Sequence, residues 1–411
     1  MGAIGHLTRA WWRPPRVYSE VEEGIRHATW LELFFDLVFV VAMAQLGSYL
    51  HHHLTVVGFL RFAGLFAIVW WVWLGVSYFA DVYDTNDPMS VGLIVAAMFG
   101  VIFLSQAIPG ALHGGSFAFA AAVFLLRGFL TVSYLRARHL RNHVDPDERR
   151  FLTTWIWLEI LVTVVWGVSL LVPEPGRFGL WIAACVVGVA GLTVVYLSWE
   201  TIIAPRTSHC SERLGLLTIL VLGETILGVS VGISVAAFTP AVLLVSALGF
   251  AIAVSAWWLY FARYDERVYE RTLLARSEHW RKRRPRGIVH VYSHVLVHAG
   301  IVAAGVGIAV ALEAAFTGHS LGAGGRVALC GGLAVFILGS GISHWMAPAS
   351  LDGRAVAGRA SVVALFGLLA AFGGPLSPTA LFGLLALSML GLIAFEGITS
   401  GIDVAPTVTE G

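Results

Sequence analysis

Apolar residues do not come singly in this chain; they run on for about twenty positions at a time. Such runs lie at 30–50, 56–79, 88–108, 116–136, 151–172, 178–199, 213–236, 239–262, 287–315, 324–346, 355–373 and 377–399. A helix needs roughly 20 apolar residues to cross the hydrocarbon core of a bilayer, so each run is long enough to span. Proline- and glycine-containing connections, such as Pro173-Glu174-Pro175 and Gly374-Pro375, separate several of them. The pattern predicts an all-α, polytopic integral membrane protein with about twelve transmembrane helices. Residues 1–29 form an N-terminal segment and 30–400 the multi-pass domain, with a basic loop at 263–286. Residues 401–411 form a tail.

Composition removes the alternatives. The 411 residues are 58% hydrophobic and 12% charged, with a mean hydropathy of +0.81. Soluble domains run near 45–50% apolar and about 25% charged. A soluble enzyme on a single anchor is therefore excluded, as is disorder, which needs low hydrophobicity and high charge. The formal net charge is +1, which gives no reason to expect a nucleic-acid partner. The three cysteines, Cys185, Cys210 and Cys330, show neither a disulfide framework nor metal-type spacing.

Charge placement sets an expected orientation. With the N-terminus in the cytoplasm, nearly all of the 26 Lys and Arg fall in cytoplasmic segments. Only Arg177 and Arg326 lie in loops on the other side, and Arg61 and Arg127 lie within spans. The positive-inside rule then places both termini in the cytoplasm of a cell with this protein in its inner membrane. Ala42-Met43-Ala44 resembles a signal-peptide cleavage site, but Glu32 and Asp36 interrupt the preceding apolar stretch. That stretch is read as the first span. The basic residues of 263–286 suit anionic lipid head groups.

A weak internal echo suggests six plus six spans in parallel repeats. Glu32, Trp70-Trp71 and Tyr78-Phe79-Ala80 are matched by Glu212, Trp257-Trp258 and Tyr260-Phe261-Ala262. Interfacial clustering of aromatic residues would produce part of the same echo.

Ionisable residues inside the bilayer are costly and by default mark function. Glu32 and Asp36 are four apart, which puts both carboxyl groups on one helical face. They call for a shared proton, a bound cation, or a cationic partner such as Arg127. Tyr78, Asp81, Asp84, Thr85, Asn86 and Asp87 follow at the end of the second span. They offer oxygen ligands for a hard cation, or simply a turn whose Asp and Asn cap the next helix. Glu212 and Arg213 lead into Leu222-Gly223-Glu224-Thr225. Arg213 and Glu224 would lie about 16 Å apart along one helix, too far to pair, so Glu224 needs another partner or a proton. Gly215 and the Gly228-x-x-x-Gly232 step invite close helix packing.

His290, His294 and His298 recur every fourth residue along the ninth span. This stripe fits a proton relay or a hydrogen-bonding role for His294 and His298 better than a metal site, since the Glu of a zinc-protease helix is missing. His51-His52-His53 form a tract in an expected outer loop. The intramembrane acids Glu32, Asp36, Glu159, Glu224 and Glu313 outnumber the intramembrane cations Arg61 and Arg127. Protons, histidines or a bound cation must then settle the balance.

Several of these segments together resemble one family. They are Ala28-Thr29-Trp30-Leu31-Glu32-Leu33-Phe34-Phe35-Asp36-Leu37-Val38-Phe39-Val40, the Trp-rich second span running to Asp84-Thr85, Glu212-Arg213-x-Gly215, Leu222-Gly223-Glu224-Thr225-Ile226, and His294 before Gly300. Over roughly residues 25 to 400 the chain resembles the bacterial low-temperature-requirement A (LtrA) family. Asp84-Thr85-Asn86-Asp87 departs from the Asp-Thr-Asp-Asp of that family. The resemblance implies a multi-pass inner-membrane protein tied by name to growth in the cold, a form of stress response, and it supplies no substrate.

The reading favoured by the residues is a proton- or cation-coupled transporter or permease. Glu32, Asp36, Asp84, Glu212 and Glu224 are its candidate acids, Arg127 and Arg213 its cations, and His294 and His298 its tuning groups. Its expected partners are membrane lipids, protons or a cation, and a small-molecule substrate, with no cofactor. No Gly-x-x-x-x-Gly-Lys-[Ser/Thr] loop offers direct ATP drive. The alternatives are an intramembrane enzyme or lipid-handling protein using buried carboxylic acids, and a non-catalytic scaffold or sensor whose polar residues only pack helices.

Overall fold

The computed structural model describes residues 28–83, 87–140, 146–198, 207–234, 240–262, 279–346 and 351–400. Among these residues, 12 helices are long and apolar enough to cross a membrane, and there is no strand. In chain order they are α1 (Trp30–His52), α2 (Val56–Val82), α3 (Pro88–Ala107), α4 (Ser116–Leu140), α5 (Pro146–Ser169) and α6 (Gly176–Ser198). The second six are α7 (Thr207–Ser234), α8 (Pro240–Phe261), α9 (His279–Thr317), α10 (Ala323–Met346), α11 (Gly353–Phe372) and α12 (Pro378–Ser400). Within α10 a π-helical turn occupies Val327–Gly331.

Local chemistry explains where the helices start. Proline opens α3, α5, α8 and α12, where its fixed φ suits the first turn and its missing N–H costs no bond. Asp87 caps α3 by accepting from the backbone of Met89 and Ser90, and Asp352 caps α11 through Ala355. At α1, Glu32 Oε2 accepts from the Thr29 N–H at 2.7 Å while Thr29 Oγ1 accepts from the Glu32 N–H at 3.3 Å. That reciprocal pair is a capping box.

The helices extend beyond the apolar runs at three places that matter. α9 begins at His279, ahead of Pro285, so the end of the segment expected as a 263–286 loop is helical. Residues 263–278 lie outside the described residues. α7 begins at Thr207, which puts Glu212 inside a helix, and α11 begins at Gly353, two residues ahead of the expected run.

The distribution of side chains is the reverse of a soluble protein. Phe99, Trp157, Ile182 and Leu387 point outward and are exposed, whereas Asp36, Arg213, Arg127 and Glu159 are buried. An apolar exterior, with the charged side chains turned inward among apolar ones, is what lipid as solvent requires. The chain is a multi-pass membrane protein.

The described residues separate into two compact units. The first comprises those up to Gln45 together with Ala67–Arg213, and the second comprises Leu46–Phe66 and the residues from Leu214 onward. In the first unit, Phe79, Tyr83, Tyr134, Phe151 and Trp155 form an aromatic core with Leu192 and Val195, joining α2, α4, α5 and α6. Tyr78 stacks on Trp155 with ring centroids 5.0 Å apart.

In the second unit α9 and α10 touch backbone to backbone. A Cβ on Gly307 would lie 2.2 Å from the Leu329 nitrogen, and one on Gly332 would lie 2.5 Å from the Ala304 nitrogen. Small residues permit such contact between membrane helices, where dispersion replaces the hydrophobic drive. Gly228, expected to allow close packing, faces Gly305 of α9, where a Cβ would meet the Gly305 carbonyl at 2.4 Å.

Candidate functional site

In the first unit the start of α1, the lower part of α2 and the start of α7 enclose a buried charge centre. Asp36 is its focus. Arg213 donates to it twice, from Nη2 to Oδ1 at 2.6 Å and from Nε to Oδ2 at 3.0 Å. Trp73 Nε1 donates to Oδ1 at 2.8 Å, and Arg213 Nη2 also donates to Ser77 Oγ at 3.2 Å. Asp36 and Arg213 are almost completely buried, so this is a two-pronged ion pair in a low-dielectric setting.

The remaining acids of the centre are held less tightly. Glu32 Oε1 lies 3.9 Å from Arg213 Nη1, beyond hydrogen-bond range. Arg213 Nη1 is buried and has no hydrogen-bond partner among the described residues. Asp81, also buried, is within electrostatic range of Arg213. Glu212 Oε1 accepts from the Ala28 N–H at 3.4 Å. Arg213 thus pairs with Asp36 and lies within electrostatic range of Glu32 and Asp81.

The sequence expectation that Arg127 serves these carboxylates is corrected. Arg127 Nη1 pairs instead with Glu159 Oε2 at 3.1 Å, and its guanidinium sits 5.8 Å from the Trp71 ring centroid. α4 and α5 are consecutive antiparallel neighbours in this unit, so their facing charges satisfy each other.

The acidic turn after α2 divides its work. Asp81 is buried and within electrostatic range of Arg213. Asp87 caps α3, accepts from the Ser90 hydroxyl, and pairs with Arg136 at 2.6 Å. Burial pushes the Asp87 carboxyl up, but the bonds from Ser90 and Arg136 outweigh it and hold Asp87 below its ordinary value. Asp84, Thr85 and Asn86 lie outside the described residues.

The second unit carries Glu224 and the histidine stripe. Glu224 Oε1 is buried and has no hydrogen-bond partner among the described residues. Its other oxygen lies beside Gly47, where a Cβ would sit 3.8 Å from Glu224 Oε2 and 3.4 Å from Val302. Its backbone packs on Gly305. An ionised carboxylate left this way in an apolar interior costs several kcal/mol or more.

His294 Nε2 meets the Tyr260 hydroxyl of α8 at 2.9 Å, and His294 Nδ1 meets the His290 carbonyl at 2.8 Å. His298 Nε2 meets Thr218 Oγ1 of α7 at 2.9 Å. His290 Nδ1 contacts Ser343 of α10 through both its carbonyl and its hydroxyl. Of the His51–His53 tract, His52 and His53 turn Nδ1 to the Ser48 and Tyr49 carbonyls in the last turns of α1. Among the described residues no three His, Cys, Asp or Glu side chains gather as a metal site.

Sequence reasoning missed a further buried pair. Arg359 of α11 and Glu396 of α12 bond through Nε–Oε1 at 2.6 Å and Nη2–Oε2 at 3.2 Å. Arg359 also donates to Ser340, to His344 Nδ1 and to the Leu259 carbonyl. Every guanidinium N–H then has an acceptor, which makes Arg359 a saturated clamp on α8, α10 and α12. Both residues sit within apolar runs, so the cost argument that flagged Glu32 would have found them.

The intramembrane charge balance changes accordingly. Arg127 neutralises Glu159 and Arg359 neutralises Glu396. Arg61 is exposed on α2, within electrostatic range of Tyr49, while Glu313 is exposed near the end of α9. Arg213 neutralises Asp36, and Glu224 Oε1 has no hydrogen-bond partner among the described residues.

Comparison with known proteins agrees with the motifs. The family profile described as bacterial low temperature requirement A protein (LtrA) matches residues 27–394. Uncharacterized protein RA0937 of Rhizobium meliloti (strain 1021) is 29% identical over 291 residues, covering 68% of each chain. No solved structure matches.

Proposed function

The chain belongs to the bacterial low temperature requirement A family, and from that premise we propose that it is a proton- or cation-coupled carrier of a small molecule. It would lie in the inner membrane with both termini cytoplasmic, the orientation that its basic segments favour. The observation that carries this reading is the buried Asp36–Arg213 pair among the membrane-spanning helices, with Glu32 at 3.9 Å from the same guanidinium. A buried carboxylate facing a guanidinium is a place where a bound proton or cation can exchange with that pairing.

The geometry suggests how coupling would proceed. Arg213 holds Asp36 with two hydrogen bonds but leaves its Nη1 uncommitted, with Glu32 just out of reach. Protonating Asp36 weakens its hold on Arg213 and frees the guanidinium to move toward Glu32. A cation entering between the acids would do the same by competition. Either exchange converts ion binding into a shift of α7 against α1 within the first unit. Glu224 is a second exchangeable position, because nothing described neutralises it.

The test is ion movement itself. Full-length protein in liposomes, loaded with a pH dye, is subjected to a potassium diffusion potential. Wild type should move protons and Asp36→Asn should not. Flux that persists unchanged in Asp36→Asn removes Asp36 from the coupling centre. A role in cold growth is proposed on the same footing, with the loss of the protein expected to slow growth at low temperature first.

A further inference from the structure

Two of the buried arginines differ in how their donors are used. Arg359 gives every N–H to an acceptor, whereas Arg127 donates through Nη1 alone, to Glu159 Oε2 at 3.1 Å and Oε1 at 3.5 Å. Arg127 Nε is buried and has no hydrogen-bond partner among the described residues, and its Nη2 meets no acceptor among them. Nε and Nη2 form the side edge of the guanidinium, a fork that matches the two oxygens of a carboxylate. Arg127 is only 2% exposed. A charged guanidinium with idle N–H groups in an apolar interior is costly, and that cost points to an acceptor-bearing ligand.

The position suits one. Arg127 and Glu159 lie midway along α4 and α5, the depth at which membrane carriers hold their substrates. The guanidinium sits 5.8 Å from the ring centroid of Trp71 on α2. Glycines flank both groups. A Cβ on Gly75 of α2 would lie 3.4 Å from Arg127 Nη1 and 2.9 Å from Leu130, and one on Gly188 of α6 would lie 3.3 Å from Trp71 Nε1 and 3.5 Å from Val162. A larger residue at either position would crowd the guanidinium or its aromatic neighbour. The cationic edge is thus set among aromatic and aliphatic side chains. One turn along the same two helices the Thr131 and Thr163 hydroxyls meet at 3.0 Å, which keeps the α4–α5 seam polar.

Charge decides what such an edge can take. Arg127 and Glu159 neutralise each other, so a monoanion arriving alone would leave a net negative charge buried beside Glu159. A monoanion arriving with one proton leaves the sum at zero. The proton neutralises the Glu159 carboxylate, and the anion replaces that carboxylate as the charged partner of Arg127. A dianion with one proton would still leave a buried negative charge. We propose that the Nε/Nη2 edge of Arg127 binds the carboxylate of a small monocarboxylate with an apolar body, and that Glu159 takes up one proton as it binds. The proposal rests on the carrier reading and names its substrate class.

The neighbouring groups leave that proton to Glu159. Tyr134 of α4 and Cys185 of α6 lie within electrostatic range of the pair. Ordinary Tyr and Cys values, about 10 and about 8.5, leave both neutral at pH 7. From α2 comes Trp71, which does not titrate, and the Thr131 and Thr163 hydroxyls do not titrate either. All of these residues belong to the first unit.

The test is isothermal titration calorimetry of full-length protein in micelles at pH 7, with acetate, propionate, benzoate and inorganic phosphate as probes. Repeating each titration in two buffers of different ionisation enthalpy counts the protons taken up. At least one of the three monocarboxylates should bind with uptake of about one proton, and phosphate should bind about tenfold more weakly or worse. Arg127→Lys keeps a cation beside Glu159 but removes the side edge, and it should weaken binding roughly tenfold or more. Glu159→Gln should still bind, without proton uptake, a change that a merely structural ion pair would not give. That variant serves if Arg127→Lys does not fold, and the wild-type proton count stands without either. No binding of any of the three overturns the proposal, as do phosphate binding of equal strength, binding without proton uptake, unchanged affinity in Arg127→Lys, or unchanged uptake in Glu159→Gln. The readout needs no membrane potential. Binding without ion flux would therefore fail the carrier reading alone, and flux without binding would fail this proposal alone.

Discussion

Removing Arg213 should expose how much of the first unit depends on one ion pair. Arg213→Gln deletes two charge-assisted hydrogen bonds to Asp36 and one bond to Ser77. It leaves the Asp36 carboxylate buried with only Trp73 donating to it. Breaking a buried pair by removing one partner costs about 3–5 kcal/mol, and that range is expected here. Asp36→Asn should cost less, because the freed guanidinium keeps Ser77 and has Glu32 at 3.9 Å to move toward. The double variant Asp36→Asn/Arg213→Gln should be no worse than Arg213→Gln alone, since the Asp36 carboxylate is then no longer stranded. Reversible unfolding in mixed micelles of all four proteins measures the cycle, with an expected interaction energy of roughly 2–3 kcal/mol. Single effects that simply add, within about 0.5 kcal/mol, would refute the pairing and the charge argument built on it.

Other outcomes follow from the same structure. Gly332→Ala places a Cβ 2.5 Å from the Ala304 nitrogen and should lower stability by roughly 1–3 kcal/mol or more, read by the same unfolding assay. Arg359→Lys retains charge but surrenders most of a saturated set of bonds. It should destabilise the second unit strongly while Ser361→Ala, at an exposed site, does not. Asp87 lies outside the spans and is held below its ordinary value by Ser90 and Arg136. A group with a depressed folded pKa stabilises above its unfolded pKa, near 3.9, and loses that contribution as pH falls through the folded value. Asp87→Asn should therefore be less stable than wild type at pH 7 by about 1 kcal/mol, and the gap should close by about pH 3.

The spans were legible because hydrocarbon imposes a length and an apolar run on each helix, and the twelve runs became twelve helices. Helix ends were less so, since a helix continues through polar residues once capping or partners allow it. That is how Glu212, just ahead of the expected span at 213–236, came to lie inside a helix. The candidate residues were legible for an energetic reason: Glu32, Asp36, Arg213 and Glu224 are costly where they stand. Their pairing was not. Arg213 meets Asp36 across 177 positions, and no local spacing encodes that contact, whereas Arg127 went to Glu159 on the adjacent helix. Glu32 carries a second role, since Thr29-x-x-Glu32 reads as a capping box as well as an intramembrane acid. The histidine periodicity suggested a path along α9, but the hydrogen bonds leave that helix for Tyr260 and Thr218.

The central claim is that buried carboxyl groups around Arg213 exchange a proton or cation during work. Counting protons bound by wild type and by Asp36→Asn as a membrane potential drives them into liposomes tests it most directly. The account predicts inward movement for wild type and none for Asp36→Asn at equal protein incorporation. Equal movement in both, or none in wild type across a screen of Na⁺, K⁺ and H⁺ gradients, would contradict it.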